Sequence, residues 1–499
     1  MMIFNKYKNF WLMALAVTLI VSCDSEDYDI PVEEEIPLSS GSADFSNFIS
    51  LGASFTAGFT DGALFVASQE NSFPNLLAGA FANAGGGEFT QPLMNDNIGG
   101  MTFGGVQILN QRLYFDGAGI SMISDTPTTE LTNVIPGPYN NMGVPGAKSF
   151  HLLANGYGNV AGVPAGLANP YYARMASSSN ASMLEDATSQ GGSFFTLSEI
   201  GGNDVLSYAI SGGSGVDQTG NFDPSTYGSN DITDPNVFAQ VFVTITDALT
   251  ANGAKGVVAN VPYITSLSHF TTVPYNPVPL DAATAAQLNA AFAQYNGGLL
   301  QIEAAGLITS SEREARTIVF SAGQNAVTLV DGDLTDLNAL GLPSYRQATS
   351  DDLLVLPSSS FIGTVVGGNP QFINGVSVPL EDKWVLTPNE QQSIMVATDA
   401  YNATIEAVAN AKGLAFVDFK SLLNEASNGG LLFDNFNMTT QLVFGGLVSL
   451  DGVHLTTRGY ALMANRMLEA IDVTYGSNFQ ASSSLLRADD YTTIYPEGL

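Results

Sequence analysis

The stretch Phe48-Ile49-Ser50-Leu51-Gly52-Ala53-Ser54-Phe55-Thr56-Ala57-Gly58 decides how this chain is read. Its first four residues form a short apolar run that stops at Gly52, the pattern of a buried strand ending in a glycine-assisted turn. Ser54 follows two residues later, with Gly58 and Gly62 downstream. A turn of this kind exposes a hydroxyl at a strand's carboxyl end and sets its own backbone N–H at a helix N-terminus, where anions are favoured. The same residues also fit a plain strand-to-helix turn, so the surroundings must decide.

Outward from this point, short apolar strands alternate with amphipathic helices, the signature of an α/β fold with a mostly parallel sheet covered on both faces. Strands are expected at Phe48 to Leu51, Phe194 to Ile200, Gly256 to Val261 and Leu414 to Phe419. Asp234 and Pro235 open a helix whose stripe of Val237, Phe238, Val241, Phe242, Ile245 and Leu249 runs to Gly253. Thr387, Pro388 and Glu390 make a capping box with proline at the first helical position, and that helix runs towards Gly413. A third spans about Thr457 to Ile471. The folded part is expected to start near Phe45 and to run to about residue 481, with residues 482–499 as a C-terminal tail. Three regions rich in Gly, Ser, Asn and Pro, near Ala84 to Asn141, Ser211 to Asp234 and Ala326 to Lys383, read as insertions. At 499 residues the chain accommodates one enlarged α/β domain or two domains.

Hydrophobic residues are 45% of the chain and aromatic ones 10%, enough for a sizeable core. Forty-seven Asp and Glu against 15 Lys and Arg give a formal net charge of −32, which repels phosphate backbones and makes nucleic acid an unsuitable partner. Anionic headgroups are repelled for the same reason, so membrane attachment calls for a covalent anchor. Residues 1 to 22 supply a route to one: Lys6 and Lys8 precede the apolar run Phe10 to Val21, and Ser22 leads to Cys23, the only cysteine. That run is short for a membrane span. It resembles a bacterial lipoprotein signal, which implies lipidation of Cys23 after cleavage; Ile20 departs from the usual Leu. An uncleaved helical anchor and an ordinary cleaved signal are the alternatives, and all three place the body outside the cytoplasm. The acidic stretch from Asp24 to Pro37 reads as part of a solvated tether over residues 23–44. It resembles the segments that follow the lipidated cysteine in surface lipoproteins of Bacteroidetes-like bacteria, which implies an outer-membrane location; a plain linker fits as well.

Acyl transfer by serine needs an exposed hydroxyl, an imidazole base, a carboxylate that orients it and donors for the oxyanion. Only three histidines are available. His151 and His269 read as structural, the latter with no acidic residue nearby in sequence. His454 closes the run Leu450-Asp451-Gly452-Val453-His454 directly before a helix, so Asp451 can reach Nδ1 from within one turn. Asn141 to Gly146 form a glycine loop suited to close approach of backbone to a ligand. Gly201, Gly202, Asn203 and Asp204 follow an expected strand and set an amide at its carboxyl end. No metal-binding cluster or cofactor motif is visible.

Together these four blocks resemble the SGNH or GDSL hydrolase family of esterases and lipases: Leu51 to Gly58, Asn141 to Ser149, Gly202 to Asp204, and Asp451 to His454. The resemblance implies a three-layer α/β/α sandwich of SGNH-hydrolase, flavodoxin-like type, enlarged by the insertions. It implies Ser54 as nucleophile, His454 as base and Asp451 as its partner, and an oxyanion hole from the N–H groups of Ser54 and Gly146 and the Asn203 amide. One departure is Ala53, where the family usually carries Asp. Spacing is also unusual, with about 90 residues between Ser54 and Gly146 and about 250 between Asn203 and Asp451. The implied function is serine esterase chemistry without a cofactor, on acetylated polysaccharide or on lipid and short-chain esters. A surface binding lipoprotein that keeps the fold without activity is the alternative.

Overall fold

A computed structural model describes residues 36–499. The leader, Cys23 and the tether up to residue 35 lie outside the described residues. Leu38–Leu499 form one compact unit. It begins ahead of Phe45 because Ser39 and Ser42 are already tied down: Ser39 N–H donates to Asn478 Oδ1 at 2.7 Å and Ser42 N–H to Tyr475 O at 2.8 Å.

The centre is a five-stranded, all-parallel sheet. Its strands, in chain order, are β1 (Phe48–Gly52), β2 (Asn141–Gly143), β3 (Phe194–Ser198), β4 (Lys255–Ala259) and β5 (Ala415–Val417). They lie side by side as β2-β1-β3-β4-β5. Such an order reverses direction at β1/β3, and in doubly wound sheets the crevice outside the strands' carboxyl ends at that point is where ligands bind. Register is continuous: Ser50 opposes Asn141 and Thr196, and Leu197 opposes Val258.

Four strands follow the apolar runs of the sequence with shifted ends. β2 falls where the sequence shows a glycine loop; Asn and Gly have low strand propensity, and the ladder with β1 overrides it. β3 stops at Ser198 because Glu199 turns to a φ of +50°. β5 stops at Val417 because Asp418 caps the next helix, its Oδ1 accepting the Ser421 N–H at 3.1 Å.

Alternation along the strands sends side chains to two cores. On one face Phe48, Phe194, Val257, Ala259 and Ala415 meet helices α2 (Phe73–Ala82) and α8 (Thr457–Tyr475). On the other Ile49, Leu51, Phe195, Leu197 and Val258 meet α4 (Pro235–Thr250) and α6 (Pro388–Lys412). Asp234 caps α4, its Oδ1 accepting from Asn236 N–H at 2.8 Å and Val237 N–H at 3.0 Å. The box at the start of α6 forms in one direction, Thr387 N–H to Glu390 Oε2 at 2.6 Å, while the Thr387 hydroxyl is buried without a partner. Between these come α1 (Ser54–Ala57), α3 (Gly202–Ile210), α5 (Ala282–Ala304) and α7 (Phe419–Ser427).

The insertions are structured. The first carries two hairpins, Met101–Phe103 with Val106–Leu109 and Leu113–Phe115 with Ile120–Met122. The third starts earlier than Ala326: Val273, Val278, and Ala285, Leu288 and Phe292 of α5 share a separate core with Val327, Leu329 and Leu354. Arg346 knits that core, donating to Asp331 at 2.5 Å and to both oxygens of Asp352 at 2.7 and 2.6 Å. Residues 482–499 lie along the body, where Tyr495 packs edge-on to Phe65 and Arg112 donates to the Pro496 and Glu497 carbonyls. Among the described residues no helix is long and apolar enough to cross a membrane.

Candidate active site

The turn after β1 forms as the sequence suggests. α1 starts at Ser54, whose residue is 7% exposed, and Ala53 in front of it has no side chain able to cap. Gly143 explains how β2 lies so close beneath this helix: a Cβ there would come within 2.2 Å of the Ala57 nitrogen. Val144 N–H donates to Gly52 O at 3.1 Å, so the loop carrying Gly146 leaves β2 alongside the Ser54 turn. Gly146 has a φ of +80°, a conformation that favours glycine.

At the next strand end, α3 presents Asn203. Its Nδ2 donates to Ala147 O at 2.9 Å, joining it to the residue after Gly146 and leaving its second N–H unassigned. Asp204 accepts from Ser149 N–H at 2.9 Å and Ser149 Oγ at 2.6 Å. Two adjacent residues of α3 thus fix the Gly146 loop.

The histidine arrives from the far end of the chain. His454 Nδ1 and Asp451 Oδ2 are 2.8 Å apart. Asp451 accepts four further hydrogen bonds: from Val453 N–H at 2.8 Å, His454 N–H at 2.9 Å, Ser449 Oγ at 3.1 Å and Gly62 N–H at 2.9 Å. Burial opposes ionisation, but the His454 ring and these donors outweigh it and hold the carboxyl well below the usual carboxylate range. An ionised carboxylate accepts only, so His454 Nδ1 carries the proton of this hydrogen bond and Nε2 is the ring nitrogen turned away from Asp451.

The loop behind α1 brings the two halves together. Phe55 and Phe59 pack on the His454 ring with centroids 5.7 and 4.6 Å away. Thr60 Oγ1 donates to Leu455 O at 2.8 Å, and Tyr460 Oη to Phe59 O at 2.6 Å. Asp61 is buried and braces the histidine loop, accepting from Leu450 N–H at 3.0 Å and donating its own N–H to Ser449 Oγ at 3.1 Å. Burial, with Asp451 nearby, pushes its carboxyl up to about 7.

Ser54 and Asn203 line one cavity of about 120 Å³, together with Val453 and Leu455 on either side of His454. The cavity follows the carboxyl edge of the sheet, from Ser54 and Glu199 past Asn260 to Phe419. Leu206, Val261, Ile264, Leu422, Leu423 and Leu431 give it apolar walls.

Sequence reading missed two residues here, Glu199 and Asp61. Glu199 accepts from Ala53 and Thr56 N–H, and the available signal was a charged residue inside an otherwise apolar strand. Asp61 had no signal beyond its place after Gly58. His269, read from sequence as structural, braces the histidine loop through backbone groups: its N–H donates to Gly452 O at 2.9 Å and its Nδ1 lies 3.4 Å from the Asp451 backbone carbonyl oxygen. Burial pulls its pKa down. His151 stacks on Tyr157, with burial lowering its pKa to about 4. Among the described residues no three His, Cys, Asp or Glu side chains are placed to hold a metal ion. No family model, curated protein or solved structure matches the chain.

Proposed function

We propose that this protein is a serine esterase of the SGNH or GDSL hydrolase type, acting on acyl esters through an acyl-enzyme. The observation that supports the reading is that Ser54 and Asn203 line the crevice at the β1/β3 reversal together with Val453 and Leu455, the two neighbours of the hydrogen-bonded His454. Ser54 Oγ attacks the ester carbonyl while His454 Nε2 takes its proton, and Asp451 stabilises the imidazolium. The oxyanion is received by the N–H groups of Ser54 and Gly146 and by the free N–H of the Asn203 amide. His454 then protonates the leaving alcohol, and water attacks the acyl-enzyme with the same histidine as base.

Between acetylated polysaccharide and lipid or other acyl esters, the apolar cavity favours the second. An acetyl group has one methyl to bury, whereas walls of Leu, Ile and Val beyond the nucleophile match a longer chain, each methylene contributing about 0.8 kcal/mol. Export as a lipoprotein anchored at Cys23 to the outer membrane completes the proposal; loss of fatty-acid labelling in Cys23→Ala tests it.

A fluorophosphonate probe tests the esterase reading. The expected result is one adduct, on Ser54, that Ser54→Ala abolishes. A folded protein that neither reacts with the probe nor cleaves p-nitrophenyl esters of any chain length overturns it and favours a binding role.

A further inference from the structure

The helix that carries Ser54 begins without a cap of its own. Ala53 stands at the N-cap position, where Ser, Thr, Asp or Asn normally accept an N–H from the first turn. Buried N–H groups left unpaired are costly, so another acceptor has to serve them.

That acceptor comes from the neighbouring strand. Glu199 Oε1 receives the Ala53 N–H at 2.7 Å and the Thr56 N–H at 3.0 Å. Among the described residues, the N–H groups of Ser54 and Phe55, which lie between these two, have no partner. Glu199 thus satisfies the donors on either side of the nucleophile and leaves the Ser54 N–H free.

Three observations mark this as a built arrangement. Glu199 holds a left-handed φ of +50°, a conformation non-glycine residues adopt only when their surroundings impose it. A Cβ on Gly52 would lie 2.1 Å from Thr56 Oγ1 and 3.1 Å from Glu199 Oε1, so the approach needs glycine there. Glu199 Oε2 is sealed from solvent without a partner, as are the hydroxyls of Thr56 and Ser198. Burial pushes the Glu199 carboxyl up to about 7, and a polar group held in so dry a place depends on the hydrogen bonds it makes.

We infer that Glu199 is the positioning residue of the nucleophile turn: across the β1/β3 pair its carboxyl clamps the Ala53 and Thr56 amides and thereby aims the Ser54 N–H at the oxyanion. The inference rests on the esterase reading. Glu199 touches no reacting atom, and its effect passes through the backbone of Ser54. The oxyanion exists only in the transition state and the intermediates, so loss of the clamp lowers kcat and leaves KM nearly unchanged.

Four proteins separate the outcomes: wild type, Glu199→Ala, Glu199→Gln, and Glu199→Ala combined with Ala53→Asp. Each is assayed for p-nitrophenyl ester hydrolysis and fluorophosphonate labelling, with thermal unfolding recorded alongside. Glu199→Ala should lose about 10- to 100-fold in kcat, the scale of a misplacement of about 1 Å. Glu199→Gln keeps an acceptor for both amides and presents its NH2 to the two unpaired hydroxyls, so it should recover most of that loss. An Asp at the N-cap reaches the Thr56 N–H in the space Glu199 vacates, so the double variant should regain part of kcat. Wild-type kcat in folded Glu199→Ala overturns the inference alone, as does a Gln variant no better than Ala at unchanged unfolding temperature. A wild type inert to ester and probe overturns the esterase reading and this inference with it. If Glu199→Ala does not fold, the Gln variant decides.

Discussion

Replacing Asp451 by Asn changes one atom, and the hydrogen bonds around it allow the consequence to be worked out. Oδ1 accepts three bonds, from Ser449 Oγ, Val453 N–H and His454 N–H, and a carboxamide oxygen placed there keeps them. The NH2 then stands where Oδ2 was, facing His454 Nδ1 at 2.8 Å and the Gly62 N–H at 2.9 Å. Two donors cannot pair. Nδ1 has to become an acceptor, the ring proton moves to Nε2, and the lone pair that the proposed mechanism uses to activate Ser54 is lost. The tautomer error is worth about 10⁴ in kcat, or about 5.4 kcal/mol at 1.36 kcal/mol per factor of ten. The stranded Gly62 N–H costs about 1–3 kcal/mol of stability, so the variant still folds. Steady-state hydrolysis of a p-nitrophenyl acyl ester, with the unfolding temperature measured on the same sample, is the assay. A folded Asp451→Asn protein within tenfold of wild-type kcat refutes the reasoning.

Other expectations follow from the same geometry. Asn203→Ala should lower kcat by about 10²- to 10³-fold in a folded protein, since in the proposed mechanism it removes one oxyanion donor; an unchanged rate takes Asn203 out of that mechanism. The specificity constant should rise about fourfold per methylene from acetyl upward until the cavity is filled, and Leu423→Trp should cut the longer chains while sparing acetate esters. A flat chain-length profile contradicts that. Burial pushes the Asp61 and Glu390 carboxyls up to about 7, so their stabilising contribution is complete below the unfolded carboxylate range near pH 4 and is lost as pH rises through about 7. The unfolding temperature should therefore be higher at pH 5.5 than at pH 8, and Glu390→Gln should narrow the difference.

What the sequence discloses and what it conceals divide along the range of the interactions. The strand before Ser54 and the helix opened by Asp234 and Pro235 are local patterns, and the structure places both there. The Asp451–His454 hydrogen bond was equally readable, because three residues of one turn span it. β2 was hidden because Asn141-Met142-Gly143 has no strand character of its own and exists only through its ladder with β1. The role of Glu199 and the partner of His269 were hidden for a related reason: the groups they contact lie 146 and 182 residues away, at Ala53 and Asp451. α5 was overlooked because its apolar stripe is sparse: only Ala285, Leu288, Phe292 and Leu299 of its 23 residues are buried.

The central claim is geometric: donors from three separated segments surround one oxygen of a species bonded to Ser54. A crystal structure of the phosphonylated protein measures this directly. The adduct should be on Ser54 Oγ, its phosphoryl oxygen about 3 Å from the Ser54 N, Gly146 N and Asn203 Nδ2 atoms, with His454 Nε2 facing the Ser54 oxygen. A phosphoryl oxygen pointing away from all three donors, or an adduct on another residue, contradicts the account.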